Sequence, residues 1–289
     1  MKPSQSHMHT IGNLRYHVRT WGDERAPKLF LLHGWMDVSA SFQFLVDAFQ
    51  RDWYVVAPDW RGFGLTEWAA DGYWFPDYYA DLDALLKIYQ PDAPVRLVGH
   101  SMGGNVACMY TGIRPQRIAK LISLEGFGMG RTTPDKAPAR YERWLDELRD
   151  PPQFKSYASF EAVAARLQKT NPRLPDDKAR FLAQHWAKEK GPGEVTLRSD
   201  PKHKMVNPVL NRLEEVLACW RRISAPVLWA SGAQSLATGW RNDTPAQLAE
   251  RKAAFKDFRE IVLEDCGHMM HHDQPGQLAA AIETFLVPG

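Results

Sequence analysis

Val95-Arg96-Leu97-Val98-Gly99-His100-Ser101-Met102-Gly103-Gly104 is the stretch whose reading decides the fold. A short apolar run enters a sharp turn, and residues 104–110 then read as a helix. Ser101 stands between Gly99 and Gly103 in the spacing Gly-x-Ser-x-Gly. A serine on a strand-to-helix corner holds its hydroxyl out above the end of a sheet, and only glycine lets neighbouring backbone pass that close. The following helix aims its free N–H groups and the positive end of its dipole at the same point.

Working outward, the pattern around this corner repeats. Residues 28–32 form a compact apolar strand that stops at His33-Gly34-Trp35, and residues 54–58 form another that stops at Asp59-Trp60-Arg61-Gly62-Phe63-Gly64. Further strands are expected at 14–21, 118–124, 226–232 and 259–263. Helical spacing of apolar residues marks 41–49, 77–89 and 275–286, and Thr244-Pro245-Ala246-Gln247 has the form of a capping box opening a helix to about residue 255. Alternation of this kind predicts an α/β protein: a mostly parallel central sheet with helices on both faces. Ligands in such folds bind beyond the carboxyl ends of the strands, where Ser101, the His33-Gly34 loop and Glu125 all fall.

The alternation breaks between residues 129 and 222. No strand is convincing there, and helices are expected at 139–148, 159–168, 175–188 and 207–220. The expected organisation is a core domain from 1–128 and 223–289, with an inserted all-helical cap at 129–222 over the strand ends.

At 289 residues, with 44% hydrophobic and 24% charged residues, the chain has an ordinary globular composition. A formal net charge of +2 without a basic run argues against nucleic acid or an acidic partner. No stretch approaches membrane-spanning length, and residues 1–10 lack the apolar run of a secretory signal. Cys108, Cys219 and Cys266 cannot all pair, which points to a reducing cytoplasm.

A serine hydroxyl needs a base to take its proton, a group to orient that base, and donors for the developing oxyanion. Of ten histidines, His268 is the best-placed base, because it follows the last strand after Gly267. His271 and His272 complete a His-x-x-His-His cluster without a recognisable metal-ligand spacing, so solvent exposure is expected and no metal.

With these residues in hand, the chain resembles the α/β-hydrolase superfamily over nearly its whole length. The matching features are His33-Gly34 after a strand, Asp59-x-Arg61-Gly62-x-Gly64, Gly99-His100-Ser101-Met102-Gly103-Gly104, and Gly267-His268. His33-Gly34-Trp35-Met36-Asp37 and the helical insertion resemble the serine-hydrolase-like and esterase branches. The resemblance implies Ser101 as nucleophile, His268 as base and the backbone N–H groups of Trp35 and Met102 as oxyanion hole. It also implies a scaffold role for Asp59 and Arg61. The family's usual Asp, three residues past the glycine ending the strand at Gly232, is here Ser235. Glu125 ends the strand after the nucleophile's helix, a position that supplies the acid in the haloalkane-dehalogenase branch, and it is the preferred acid. Asp243 is the alternative, and Asp265 is expected to point elsewhere.

The expected activity is serine hydrolysis of a carboxylic ester or thioester of a small, largely apolar substrate, with no cofactor. Trp35, His100, Trp144 and Trp186 are candidate pocket residues, with Trp220 a further aromatic of the cap. Two other classes compete. Hydrolysis of a carbon–carbon bond in a vinylogous diketone would use Arg131, Arg140 and Arg143 on an acidic substrate, and a ligand receptor with little turnover would account for the missing Asp at 235. Haloalkane dehalogenation and epoxide hydrolysis are disfavoured, since both use an Asp nucleophile.

Overall fold

A computed structural model describes residues 1–237 and 244–287. Eight strands form the central sheet: β1 (Ser4–Ile11), β2 (Leu14–Trp21), β3 (Lys28–Leu32), β4 (Tyr54–Pro58), β5 (Val95–His100), β6 (Ile118–Leu124), β9 (Val227–Gly232) and β10 (Phe258–Leu263). Their order is β1-β2-β4-β3-β5-β6-β9-β10. β1 and β2 pair antiparallel, β2 joins β4 antiparallel, and every pairing from β4 to β10 is parallel. β5, which delivers Ser101, lies between β3 and β6 near the middle of the sheet.

The period-2 geometry of a strand splits its side chains between the two faces. Phe30 and Leu32 go to one core with Val56, Leu82, Leu85, Val106 and Trp229; Leu29 and Leu31 go to the other with Val55, Val98, Leu278 and Ile282. Helices α2 (Phe75–Tyr89) and α3 (Met102–Ile113) cover the first face, and α1 (Gln43–Ala48) and α11 (Pro275–Leu286) the second. Two covered faces explain why the inner strands read as continuous apolar runs.

Between β6 and β9 the chain forms α4 (Ala137–Arg149), α5 (Phe160–Thr170), α6 (Asp176–Trp186) and α7 (Leu213–Trp220). This insertion is not all-helical. An antiparallel hairpin, β7 (Ala187–Gly191) and β8 (Glu194–Leu197), follows α6 directly. Its turn holds Pro192-Gly193, with Gly193 at φ 69°, and Val195 and Leu197 enter a small core with Val163, Leu167, Ala179 and Leu182. Mostly charged residues on the outer face of β7 hide the strand pattern. The expected helix at 207–220 is shorter, since Pro208 and the residues after it stay outside α7. After β9 come a short helix α8 (Ala233–Ala237) and α9 (Pro245–Lys252), which carries the expected capping box between Thr244 and Gln247.

Among the described residues, no helix is long and apolar enough to cross a membrane.

Candidate active site

Ser101 sits on the corner between β5 and α3 with φ 51° and ψ −114°. A side chain there costs on the order of 1–3 kcal/mol of backbone strain. The surroundings hold the strain in place: the Ser101 N–H donates to the Leu124 carbonyl at 2.7 Å, and its own carbonyl accepts from Asn105 N–H at 3.0 Å. A Cβ on Gly103 would run into the Leu32 carbonyl, and one on Gly99 into the Gly103 carbonyl. The two glycines of the motif are therefore required by close approach of backbone to backbone.

At the end of β3, His33 fixes the neighbouring loop. Its Nε2 accepts the Trp60 N–H at 2.8 Å, which leaves Nδ1–H to donate to the Gly34 carbonyl at 2.7 Å. Burial pushes its pKa down, keeping the ring neutral. Gly34 passes so near the corner that an added Cβ would lie 3.2 Å from Ser101 Cβ. The backbone of Trp35 follows directly, while its ring is half exposed to solvent. Met102 opens α3, so its N–H has no carbonyl four residues back within the helix to bond.

β6 and β10 bring the other two groups. Glu125 is fully buried, and one of its oxygens, Oε2, lies 3.6 Å from Nδ1 of the partly exposed His268. At that separation the contact is electrostatic. The carboxylate is oriented by further donors: Gly232 N–H reaches Oε1 at 2.8 Å and Ser235 Oγ–H reaches Oε2 at 2.9 Å. Burial alone would raise the Glu125 pKa, but the adjoining His268 imidazole and the hydrogen bonds from the Gly232 amide and Ser235 hold it below the ordinary carboxylate range. Ser235, standing where the family pattern has Asp, thus points at the same carboxylate. His268 is held from behind, its carbonyl accepting His100 Nε2–H at 2.9 Å and its ring 4.8 Å from that of His100.

The remaining expected residues separate. Asp243 lies outside the described residues. Asp265 is exposed and offers its carbonyl to Gln274. His100 is buried beneath the corner, where burial first and then neighbouring His271 and His268 drive its pKa well down. Trp144 meets Trp74 edge-on and lines a cavity of about 410 Å³ with Leu148, Pro151 and Met205, away from Ser101 and His268. Trp220 belongs to the main core against Trp229 and Phe255. Trp186 does reach the site loop, donating from Nε1 to Asp37 Oδ1 at 3.1 Å. A larger hollow of about 560 Å³, lined by Lys2, Trp21 and Trp53 among others, opens at the amino ends of β3 and β4 and holds none of the site residues.

His271 and His272 are not exposed. The helical turn α10 (Met270–Asp273) folds both under the site loop, with Nε2 of each beside Ser41 Oγ, at 3.1 and 2.5 Å. A partner 230 residues away in the chain leaves no local signal for this burial. Sequence reasoning also missed Asp37, which is buried with Oδ2 3.5 Å from His271 Nε2.

Asp59 and Arg61 have the geometry of a scaffold. Asp59 accepts from Ser39 N–H, Leu65 N–H and His17, while Arg61 grips Asp81 with two hydrogen bonds of 2.7 Å. The arginines of the insertion are also engaged: Arg131 with Glu214 and Glu250, Arg140 with the Asn207 carbonyl, Arg143 with Glu147.

Sheet order, strained serine and the groups around it define an α/β-hydrolase. The chain belongs to the α/β-hydrolase fold family, which it matches over residues 27–275. It is 27% identical to a serine hydrolase-like protein of Danio rerio, over 96% of this chain and 86% of that one. It is 28% identical to 3-hydroxybutyrate-oligomer hydrolase of Cupriavidus necator, over 95% and 93%. Among solved structures, the thioesterase domain from the curacin biosynthetic pathway superposes with a TM-score of 0.85 at 24% identity, over 98% of this chain and 100% of that one, a likeness of fold.

Proposed function

We propose that the protein is a serine hydrolase that cleaves a carboxylic ester or thioester of a small, largely apolar substrate through an acyl-enzyme on Ser101. The observation that carries this reading is a pair: the strained Ser101 corner, and a buried carboxylate 3.6 Å from the imidazole that follows the last strand. Strain of this kind is retained where it presents a reacting group.

In this reading Ser101 Oγ attacks the acyl carbon while His268 Nε2 takes its proton. The backbone N–H groups of Trp35 and Met102 receive the oxyanion. Collapse expels the alcohol or thiol, which takes the proton back from His268. Water activated by the same imidazole then releases the acid and restores Ser101. Glu125 holds Nδ1–H and offsets the imidazolium charge. The engagement of Arg131, Arg140 and Arg143 within the protein leaves little support for an acidic diketone substrate. The likeness to the 3-hydroxybutyrate-oligomer hydrolase supports an ester.

Residues 129–222 would act as the cap. Three contacts support this: Trp186 with Asp37, Lys178 Nζ with the His272 carbonyl at 2.8 Å, and Asn171 with Asp273 at 2.6 Å. All three tie the insertion to segments flanking Ser101 and His268.

The test is a panel of p-nitrophenyl esters and acyl thioesters of rising chain length, run on wild type and Ser101→Ala. Turnover of the shorter members, abolished in the variant, is expected. Inactivity towards every ester and thioester would remove the reading.

A further inference from the structure

Beneath the site loop lies a buried polar cluster that the hydrolytic reading does not use. Asp37, His100 and His271 are all buried, and one potential ligand atom from each falls within 4.8 Å of the other two. Buried polar atoms are normally paired. Here Asp37 Oδ2, His100 Nδ1 and His271 Nδ1 are buried without a hydrogen-bond partner. The cluster arises from three distant parts of the chain: the loop after β3, the end of β5 and α10.

Two of the three, His100 and Asp37, have outer contacts of the form that surrounds a metal. A ligating histidine characteristically donates its other ring N–H to a backbone carbonyl, and a ligating carboxylate is itself hydrogen-bonded. His100 Nε2–H donates to the His268 carbonyl, which puts the lone pair on Nδ1. Asp37 Oδ1 accepts from Val38 N–H at 2.8 Å and Trp186 Nε1–H at 3.1 Å, leaving Oδ2 for another use. Asp37 Oδ2 and His271 Nε2 are 3.5 Å apart, and Nε2 would have to exchange its contact with Ser41 Oγ for the ion. Two ligands of a tetrahedral zinc ion stand about 3.4 Å apart, given bonds of about 2.0–2.1 Å. That edge of the triangle is therefore already set, and the widest one must contract.

We propose that Asp37, His100 and His271 form a binding site for a divalent transition-metal ion of the zinc type, lying under the oxyanion loop. Two neutral imidazoles and one carboxylate suit zinc, cobalt or nickel and not the all-oxygen preferences of calcium or magnesium. Occupation acts on the reaction centre, an effect that rests on the hydrolytic reading above. Contraction of the triangle draws His100 with it, and His100 carries the His268 carbonyl and packs against Gly34 beside Ser101. The metal thus shifts both His268 and the Trp35 loop and slows hydrolysis reversibly.

Binding is tested on the full chain by calorimetric titration with Zn²⁺ and by the visible absorption of Co²⁺, both on Ser101→Ala, so that the result does not depend on turnover. One ion per chain is expected. Asp37→Asn keeps the acceptor for Val38 and Trp186, and with His271→Gln it should weaken binding at least about tenfold. Unchanged affinity in both variants, loss instead in His268→Gln, or no binding at all (a cluster bridged by water only) would overturn the proposal. Should either variant fail to fold, anomalous diffraction from Zn²⁺-soaked crystals of the unsubstituted chain decides: density among Asp37, His100 and His271 supports the site, and density elsewhere or none refutes it. A hydrolase whose activity falls with Zn²⁺ and returns with chelator fits the shifted His268. If Zn²⁺ binds at the triangle and activity does not change, the inhibitory role is refuted.

Discussion

Glu125→Gln is the sharpest perturbation of the proposed chemistry, and the surroundings dictate how the new amide must sit. Gly232 N–H donates to Oε1 at 2.8 Å, so the Gln carbonyl has to take that position. The NH₂ group then replaces Oε2, facing Ser235 Oγ at 2.9 Å and His268 Nδ1 at 3.6 Å. Ser235 can turn and accept, and the protein loses little at that contact. His268 has no such freedom. An N–H facing Nδ1 forces the ring into the tautomer with its proton on Nε2, where it cannot take a proton from Ser101. The wrong tautomer costs a triad enzyme about 10⁴ in kcat, or roughly 5.5 kcal/mol of transition-state stabilisation. Steady-state hydrolysis of a p-nitrophenyl ester, with thermal melts to show that the variant is folded, reads this directly. A kcat within about threefold of wild type, in folded protein, would refute the assignment of Glu125, since a tautomer loss of this kind is worth orders of magnitude.

Further outcomes follow from the same geometry. Adding Ser235→Asp to Glu125→Gln should recover at least about tenfold of the lost kcat, because position 235 points at the oxygen Glu125 presents; kinetics of the double variant check this, and no recovery would contradict it. Ser101→Gly should abolish hydrolysis and stabilise the fold by about 1 kcal/mol through release of backbone strain, seen as a rise of about 2–4 °C in melting temperature. Asp59→Asn should cost roughly 3 kcal/mol, since it leaves buried His17 and two backbone donors facing a weaker acceptor, and calorimetry should show a fall of about 6–12 °C. Glu125 has a folded-state pKa below its unfolded value near about 4.3, so its stabilisation is present in full above that value and is lost as pH falls through the folded pKa. The stability gap between wild type and Glu125→Gln should therefore narrow as pH falls below about 4.3, measured by denaturant titration; a gap that widens on acidification would contradict the sign.

The corner at Ser101 was legible because its demands are local. Gly99 and Gly103 are needed for backbone clearance, and the apolar run before them is a strand buried on both faces. Glu125 came into view through the resemblance to the haloalkane-dehalogenase branch, which carries its acid at this strand end, and its carboxylate lies 3.6 Å from the His268 imidazole. What the sequence hid depends on partners remote in the chain. β1 alternates polar residues along a half-exposed edge and becomes a strand only by pairing with β2. β7 and β8 are short and largely charged outside, though Pro192-Gly193 marks their turn. The histidines after His268 look like a surface cluster until α10 turns them under Ser41 and Asp37. Trp144 carried the right chemistry for an apolar wall but faces Trp74 across a different cavity.

The central claim is that Ser101 is the activated nucleophile. Its most direct test is reaction with a fluorophosphonate, followed by intact-mass measurement and peptide mapping. The account predicts one adduct per chain, on Ser101, absent in Ser101→Ala and strongly slowed in Glu125→Gln. A folded protein that takes up no label, or carries it on another residue, would contradict the account.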